Sequence, residues 1–309
     1  MRPVWARRPW ILLLLVPILP VAVGGLWLLF LPWPRDLRET NPERTSFMEY
    51  RLREASREGR ELEISQQWVS LEAISPNLRR AVLVAEDDRF YQHRGIDWRS
   101  LAEEVHYQGD TTFSWRSRDD RQALREALRY YRANRAEIKG RSTITQQVAK
   151  NLYFTPERSL VRKVSEAVVT RRLERFLTKD RILEIYLNVA EWGPGIFGAQ
   201  AAALVYFERG AEELTLEQAT ALAATLPHPL TSNPSFRPAR MAWRQEMLLR
   251  RLRSPPPPPP DIPVLVLPDS SAPGDDTLPT ARDTLPGEDT LPAKIDALPT
   301  GGRRPPARP

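Results

Sequence analysis

Three stretches of this 309-residue sequence gather side chains that could do chemistry. In the first, Glu86-Asp87-Asp88-Arg89-Phe90-Tyr91-Gln92-His93-Arg94-Gly95-Ile96-Asp97, three adjacent carboxylates close a helical pattern. Acids at a helix C-terminus face the negative pole of its dipole, at roughly 0.3–1 kcal/mol per exposed charge, so something other than helix stability is expected to keep them there. A carboxylate is the group a proton-accepting step would use; the competing reading is a solvated acidic patch. The second stretch, Gly140-Arg141-Ser142-Thr143-Ile144-Thr145-Gln146-Gln147-Val148-Ala149-Lys150-Asn151, is dense in hydroxyls and amides. Such groups cost on the order of a few kcal/mol each when buried without partners, yet suit hydrogen bonding to a sugar or peptide. Its competing reading is a capped helix start on an ordinary loop. The third, Arg158-Ser159-Leu160-Val161-Arg162-Lys163-Val164-Ser165-Glu166, sets three cations around one helix start. They oppose that helix dipole, and a polyanionic ligand would relieve the conflict.

The elements that must position these groups read as helices. From Asn77 to Glu86 the apolar residues Leu78, Ala81, Val82 and Ala85 follow helical spacing, with Ser75 as a cap and Pro76 in the first turn. Similar helices are predicted for Arg162 to Phe176, Asp180 to Asn188, Ala199 to Phe207 and Leu216 to Leu226. Alternating strand patterns are scarce, so periodicity predicts an all-α body over 35–253.

Both flanks differ from that body. Trp10 to Leu31 carry no charge, and as a helix would span roughly 33 Å, about a bilayer core, so 10–31 is expected to be a transmembrane anchor. A cleaved signal peptide is the rival, but the run exceeds the usual apolar core and no small-residue cleavage site follows. Arg2, Arg7 and Arg8 precede the run unaccompanied by acids, which leaves 1–9 in the cytoplasm and the rest outside. From Ser254 the sequence turns to six prolines and repeated Asp-Thr-Leu-Pro units, so 254–309 is expected to be an extended or disordered tail. Basic residues exceed acidic ones by six, which calls for an anionic partner without naming it. Without cysteine, disulfides, thiolate nucleophiles and Cys-based zinc sites are excluded, and His93, His106 and His228 stand too far apart in sequence to suggest a metal cluster.

Taken in order, five segments resemble the peptidoglycan polymerases of glycosyltransferase family 51, in its monofunctional branch: EDDRFYQHRGID (86–97), GRSTITQQVAKN (140–151), RKVSEAVVTRRLE (162–174), KDRILEIYLNVAEWGPGIFGAQAAALVYF (179–207) and LTLEQATALAATLPHP (214–229). The resemblance implies a mostly helical, lysozyme-like glycosyltransferase domain with a small membrane-associated jaw, behind one N-terminal transmembrane helix. No transpeptidase domain is expected, because only the Pro-rich tail follows the last segment. By motif position the resemblance makes Glu86 the catalytic base and Glu166 a supporting carboxylate. It assigns substrate binding to Asp87, Phe90, His93, Ser142, Thr143, Gln146, Gln147 and Asn151, and puts Lys150, Arg158, Arg162 and Lys163 near the substrate pyrophosphate. The implied substrate is lipid II together with the growing glycan strand, at the outer face of the cytoplasmic membrane. Cell-wall or division proteins are candidate partners of the tail, and nucleic acid is not expected. Two departures stand out. Ser165 sits where some relatives carry another lysine, and the 42 residues between Asp97 and Gly140 exceed what the resemblance leads one to expect. Within that extra length, about Tyr107 to Arg135, Leu124, Leu128 and Tyr131 recur at helical spacing among arginines, as in a helix lying on an anionic membrane. A helix packed on the protein is the competing reading.

These residue types suit the implied reaction on chemical grounds. A sugar hydroxyl is a weak nucleophile, so a carboxylate must take its proton as the new bond forms. Pyrophosphate leaves readily and needs charge stabilisation, which cations supply with or without a divalent ion such as Mg or Mn. A lytic glycosidase would instead need a strong acid and a poised water, with no use for Lys150, Arg158 and Lys163 together. A silent anchored scaffold is the rival from another class, and would be free to lose Glu86, Gln146 and Gln147.

Overall fold

A computed structural model of the chain describes residues 24–109, 113–134, 142–157 and 159–254. Among these the fold is mostly helical: α1 (24–29), α2 (Ser46–Arg57), α3 (Pro76–Glu86), α4 (Trp98–Glu104), α5 (Arg118–Ala133), α6 (Ile144–Tyr153), α7 (Leu160–Phe176), α8 (Lys179–Val189), α9 (Ala199–Phe207), α10 (Leu216–Thr225) and α11 (Pro238–Arg253). The helix ends are written in short polar side chains. Ser75, Ser159 and Thr178 accept the N–H groups of Asn77, Arg162 and Arg181, and Thr143 with Gln146, and Thr215 with Gln218, close reciprocal capping boxes. A cap of this kind is worth about 1 kcal/mol.

α8 forms the centre of the core, with Ile182, Leu183, Ile185, Tyr186, Leu187 and Val189 all buried. α6 packs on α8, α7 and α2, while α3 packs on α10 and α11. The small residues Ala199, Ala202 and Ala203 of α9 are wholly buried in the same core. Asn188, wholly buried at the end of α8, satisfies its amide by donating to Val69 O at 2.9 Å and Glu184 O at 2.8 Å while accepting from Val69 N at 2.9 Å. That ties the 65–71 segment to the central helix.

The expectation of an all-α body needs correction by one small sheet. β1 (Ser65–Gln66), β2 (Glu191–Gly193) and β3 (Ile196–Phe197) lie in the order β1-β3-β2, with β1 parallel and β2 antiparallel to β3. Strands of two and three residues are too short for an alternating pattern to register. The hairpin depends on glycine: Gly195 sits at φ +73°, and a Cβ there would come within 2.3 Å of Glu63 O.

No helix among the described residues is long and apolar enough to cross a membrane. The anchor expected at 10–31 falls mostly outside the described residues, as do the 1–9 segment and the tail from 255 onward. Where the chain enters the domain it is held by Arg172 of α7. This buried guanidinium donates to the carbonyls of Leu28 (2.8 Å), Leu31 and Pro32 (3.0 Å) and lies 3.9 Å from the Trp33 ring centroid. Leu28 lies in the last turn of α1, where carbonyls lack the full set of helical partners, and Leu31 and Pro32 follow it.

Candidate active site

The three acids at the end of α3 go three different ways. Asp88 turns out to the surface and pairs with Arg251 of α11 at 2.6 Å. Asp87 turns inward, where its buried carboxylate accepts the first N–H of α6, from Ile144, at 3.0 Å and meets His93 Nε2 at 2.9 Å. It thus sits at the positive pole of a second helix, which offsets its place at the negative pole of its own. Glu86 turns towards α6, at a cleft whose wall all three acids join.

There Glu86 is held by α6. Gln147 Nε2 donates to the Glu86 carboxylate at 2.9 Å and to Ser142 O at 3.2 Å, and Gln147 Oε1 accepts from the Tyr186 hydroxyl at 3.2 Å. Burial first, and then the charges of Glu86 and Asp87, push the Tyr186 pKa well above the ordinary tyrosine value, so its hydroxyl stays a neutral donor. An oriented carboxylate with one side open results. Its open side lines a cavity of about 380 Å³ walled also by Asp87, Ser142, Thr143, Gln146 and Lys163.

Cations gather on the α7 side. Lys163 Nζ lies 3.3 Å from Ser142 Oγ and 3.3 Å from the buried Glu166 carboxylate, which also pairs with Arg162 one turn away. Burial, followed by the charges of Arg162 and Lys150, lowers the Lys163 pKa. Lys150 is lowered by burial and then by Arg162, with Glu86 and Glu191 pulling the other way. Three cations therefore feel one another across a space that Glu166 neutralises only in part, and added negative charge there would be stabilised. Arg158 lies outside the described residues.

Other expected contact residues have structural tasks. Phe90 is 1% exposed, and its ring lies under the Lys179 ammonium at 4.3 Å, so it presents no face to a glycan. Thr143 and Gln146 form the α6 capping box, and Thr143 Oγ1 also donates to Gly95 O at 2.5 Å. Asn151 is buried on α6. His93 is spent on Asp87. Phe90, Asn151 and His93 thus belong to a framework that fixes the α3–α4 loop against α6, and Thr143 and Gln146 belong to it while also lining the cavity. Ser142, Lys163 and Glu86 line the cavity as well, with Gln147 holding Glu86 from behind.

Asp87, His93 and Asp97 hold atoms within 4.8 Å of one another, a spacing a metal ion could use. They do not fit one. Each carboxylate oxygen already has a donor: Ile144 N–H and His93 on Asp87, Arg89 and Ser100 on Asp97. Burial alone would raise the Asp97 pKa, but Ser100 and then Arg89 outweigh it and hold it at about 2.

The motif spacing did not reveal a second cluster behind Lys150. Glu191, buried in β2, is gripped by Arg51 of α2 at 2.9 and 2.8 Å, and Arg51 also holds Glu54 at 2.7 Å. A lone acid in the otherwise uncharged YLNVAEWG run was the available signal.

The family model described as Transglycosylase matches residues 55–114 and 109–253, breaking within the extra length between the first two motifs. The chain is also similar to three curated proteins, each called biosynthetic peptidoglycan transglycosylase. Against that of Aromatoleum aromaticum it is 41% identical over 214 residues, 69% of this chain and 81% of the relative. Against that of Dechloromonas aromatica the identity is 39% over 221 residues, 71% and 85%. The Herminiimonas arsenicoxydans protein is 37% identical over 243 residues, 78% and 94%.

Proposed function

The chain belongs to the transglycosylase family, and from the geometry of its cleft we infer how it builds peptidoglycan. It is a glycosyltransferase that polymerises glycan strands for cell-wall synthesis, with lipid II and the growing strand as substrates. The finer reading assigns roles to side chains. Glu86 accepts the proton of the 4-hydroxyl of the incoming N-acetylglucosamine. The freed oxygen attacks C1 of the strand's terminal N-acetylmuramic acid from the face opposite the α-linked pyrophosphate. The C1–O bond breaks, its electron pair leaves with undecaprenyl pyrophosphate, and a β-1,4 bond forms. Lys150, Arg162, Lys163 and Arg158 meet the charge that develops on the leaving group. Glu166 keeps Arg162 and Lys163 in place without cancelling their charge. No step is routed through a metal ion.

The observation that carries this reading is that Glu86, oriented by Gln147, and Lys163, at the edge of the cationic group, line one cavity of about 380 Å³. A base and a phosphate-binding charge must share a cleft if one acts on the nucleophile and the other on the leaving group. We further assign the domain to the outer face of the cytoplasmic membrane, from the charge-free run at 10–31 and the arginines before it. The Pro-rich tail we assign to recruitment of wall-synthesis or division proteins.

The test is incubation of the detergent-solubilised full chain with labelled lipid-linked disaccharide pentapeptide. Formation of long strands that lysozyme can degrade is expected. Shortening of supplied strands would instead mark a lytic enzyme, and unchanged substrate a scaffold.

A further inference from the structure

The helix within the extra length between the first two motifs has two unlike sides. On its inner side Ala123 and Ala127 are buried, and the Asp120 carboxylate accepts the N–H of Ser114 at 2.9 Å. On its outer side Arg118, Arg121, Arg125, Arg129 and Arg132 recur at spacings of three and four. At 100° per residue all five fall within an arc of about 80° opposite the buried alanines. The three acids of the helix, Asp119, Asp120 and Glu126, all lie off that arc. Among the described residues Arg118, Arg125, Arg129 and Arg132 are exposed and make no ion pair; Arg121 donates to Trp115 O at 2.6 Å.

A stripe of five like charges is unfavourable to assemble unless a partner neutralises it, since like charges one turn apart repel. Large apolar side chains accompany it. Trp115 is 71% exposed just before the helix, Phe113 sits edge-on to it at 4.8 Å, and Leu128 and Tyr131 are exposed beside the arginines. Trp98, at the start of α4, is 67% exposed and shares a cavity of about 1830 Å³ with Trp33, which follows the charge-free N-terminal run.

We propose that the α5 stripe docks on the surface of a bilayer containing anionic phospholipid, its arginines on the headgroup phosphates and its neighbouring aromatic rings at the interface. The charge of the stripe selects an anionic surface. Exposed tryptophans beside it favour a lipid interface over a soluble polyanion, because their amphipathic rings gain most at that boundary. Such docking is independent of the catalytic chemistry and holds the domain at a set angle to the membrane.

The chain has no cysteine, so a single Gln122→Cys in the full chain gives one labelling point on an exposed position of α5. The labelled protein is reconstituted into vesicles of phosphatidylcholine alone or with phosphatidylglycerol. With phosphatidylglycerol, a fluorophore at this position should be quenched by headgroup-linked nitroxide and shielded from aqueous acrylamide. In phosphatidylcholine it should stay accessible. Each arginine near such a surface is worth about fivefold in docking, so Arg125→Gln with Arg129→Gln and Arg132→Gln should weaken it about a hundredfold. Helix content and the polymerisation rate in detergent should stay at the parent value. Raising salt towards 1 M, where the screening length falls to about 3 Å, should release the unmodified stripe and serves if the triple variant folds poorly. Equal accessibility in both lipids, or shielding that survives the substitutions and the salt, overturns the proposal. Shielding that appears only when isolated glycan strands are added also overturns it, in favour of a glycan partner.

Discussion

The side-chain nitrogen of Gln147 lies 2.9 Å from the carboxylate of Glu86. Because the same amide accepts from the buried Tyr186 hydroxyl, its orientation is fixed and a nitrogen, not an oxygen, faces the acid. The carboxylate proposed as the base is thereby held in one orientation. Glu86→Gln is expected to lower turnover by about 10² to 10⁴, the range for a lost general base, with an unchanged unfolding midpoint. Wild-type turnover on lipid-linked substrate would falsify the assignment.

Gln147→Ala should leave Glu86 present but loosely aimed. A misplacement near 1 Å costs on the order of 10²-fold, so turnover should fall that far while the pH profile keeps its shape. Tyr186→Phe removes only the outer hydrogen bond, worth about 1 kcal/mol. A larger loss in the Phe variant than in the Ala variant would contradict this order.

Glu166 is expected to behave unlike Glu86. It is buried and paired with Arg162 and Lys163, so Glu166→Gln leaves two cations in a partly desolvated space without their counter-ion. Loss of about 1–3 kcal/mol of stability should accompany the loss of activity. Denaturant unfolding of both Gln variants separates the two roles, and equal stability would show that Glu166 is not structural.

Neutralising Lys150 or Lys163 should lower turnover more than apparent affinity, by roughly 2.7–4 kcal/mol each, because the charge they meet grows as the C1 bond breaks. Arg158→Lys should cost less than Arg158→Ala yet remain measurable, since an ammonium cannot grip two phosphate oxygens. Turnover within about twofold of wild type in all the alanine variants would remove the clamp from the mechanism.

The pH dependence follows from the depressed Lys150 and Lys163. Burial, then Arg162, lowers both, so they lose protons at a lower pH than free lysines do. Activity should fall as pH rises through a window below the ordinary lysine value. Stability should move the other way there, because the unfolded chain binds more protons than the folded one in that window. Rate profiles with thermal unfolding over the same range check the pair of trends, and a fall in both would locate the titration elsewhere.

The sequence by itself determined the central helices and nominated the constellation proposed to be catalytic. Apolar spacing marked α3 and α7–α10 to within a few residues, because periodicity and caps are local properties. The ordered motifs identified the family and nominated Glu86. Where each acid of the 86–88 triplet points could not be read, because that depends on what stands opposite: the start of α6 for Asp87, Arg251 for Asp88 and Gln147 for Glu86. Phe90, Thr143 and Gln146 looked like ligand contacts since polar and aromatic residues in a motif serve binding and framework alike. Burial is a property of the packed chain: it gives Phe90 a place in the core, while Thr143 and Gln146 cap α6 and line the cavity at once. The Arg51–Glu191 pair was invisible for the same reason, its members lying 140 residues apart and meeting only when α2 packs beside the β2–β3 hairpin.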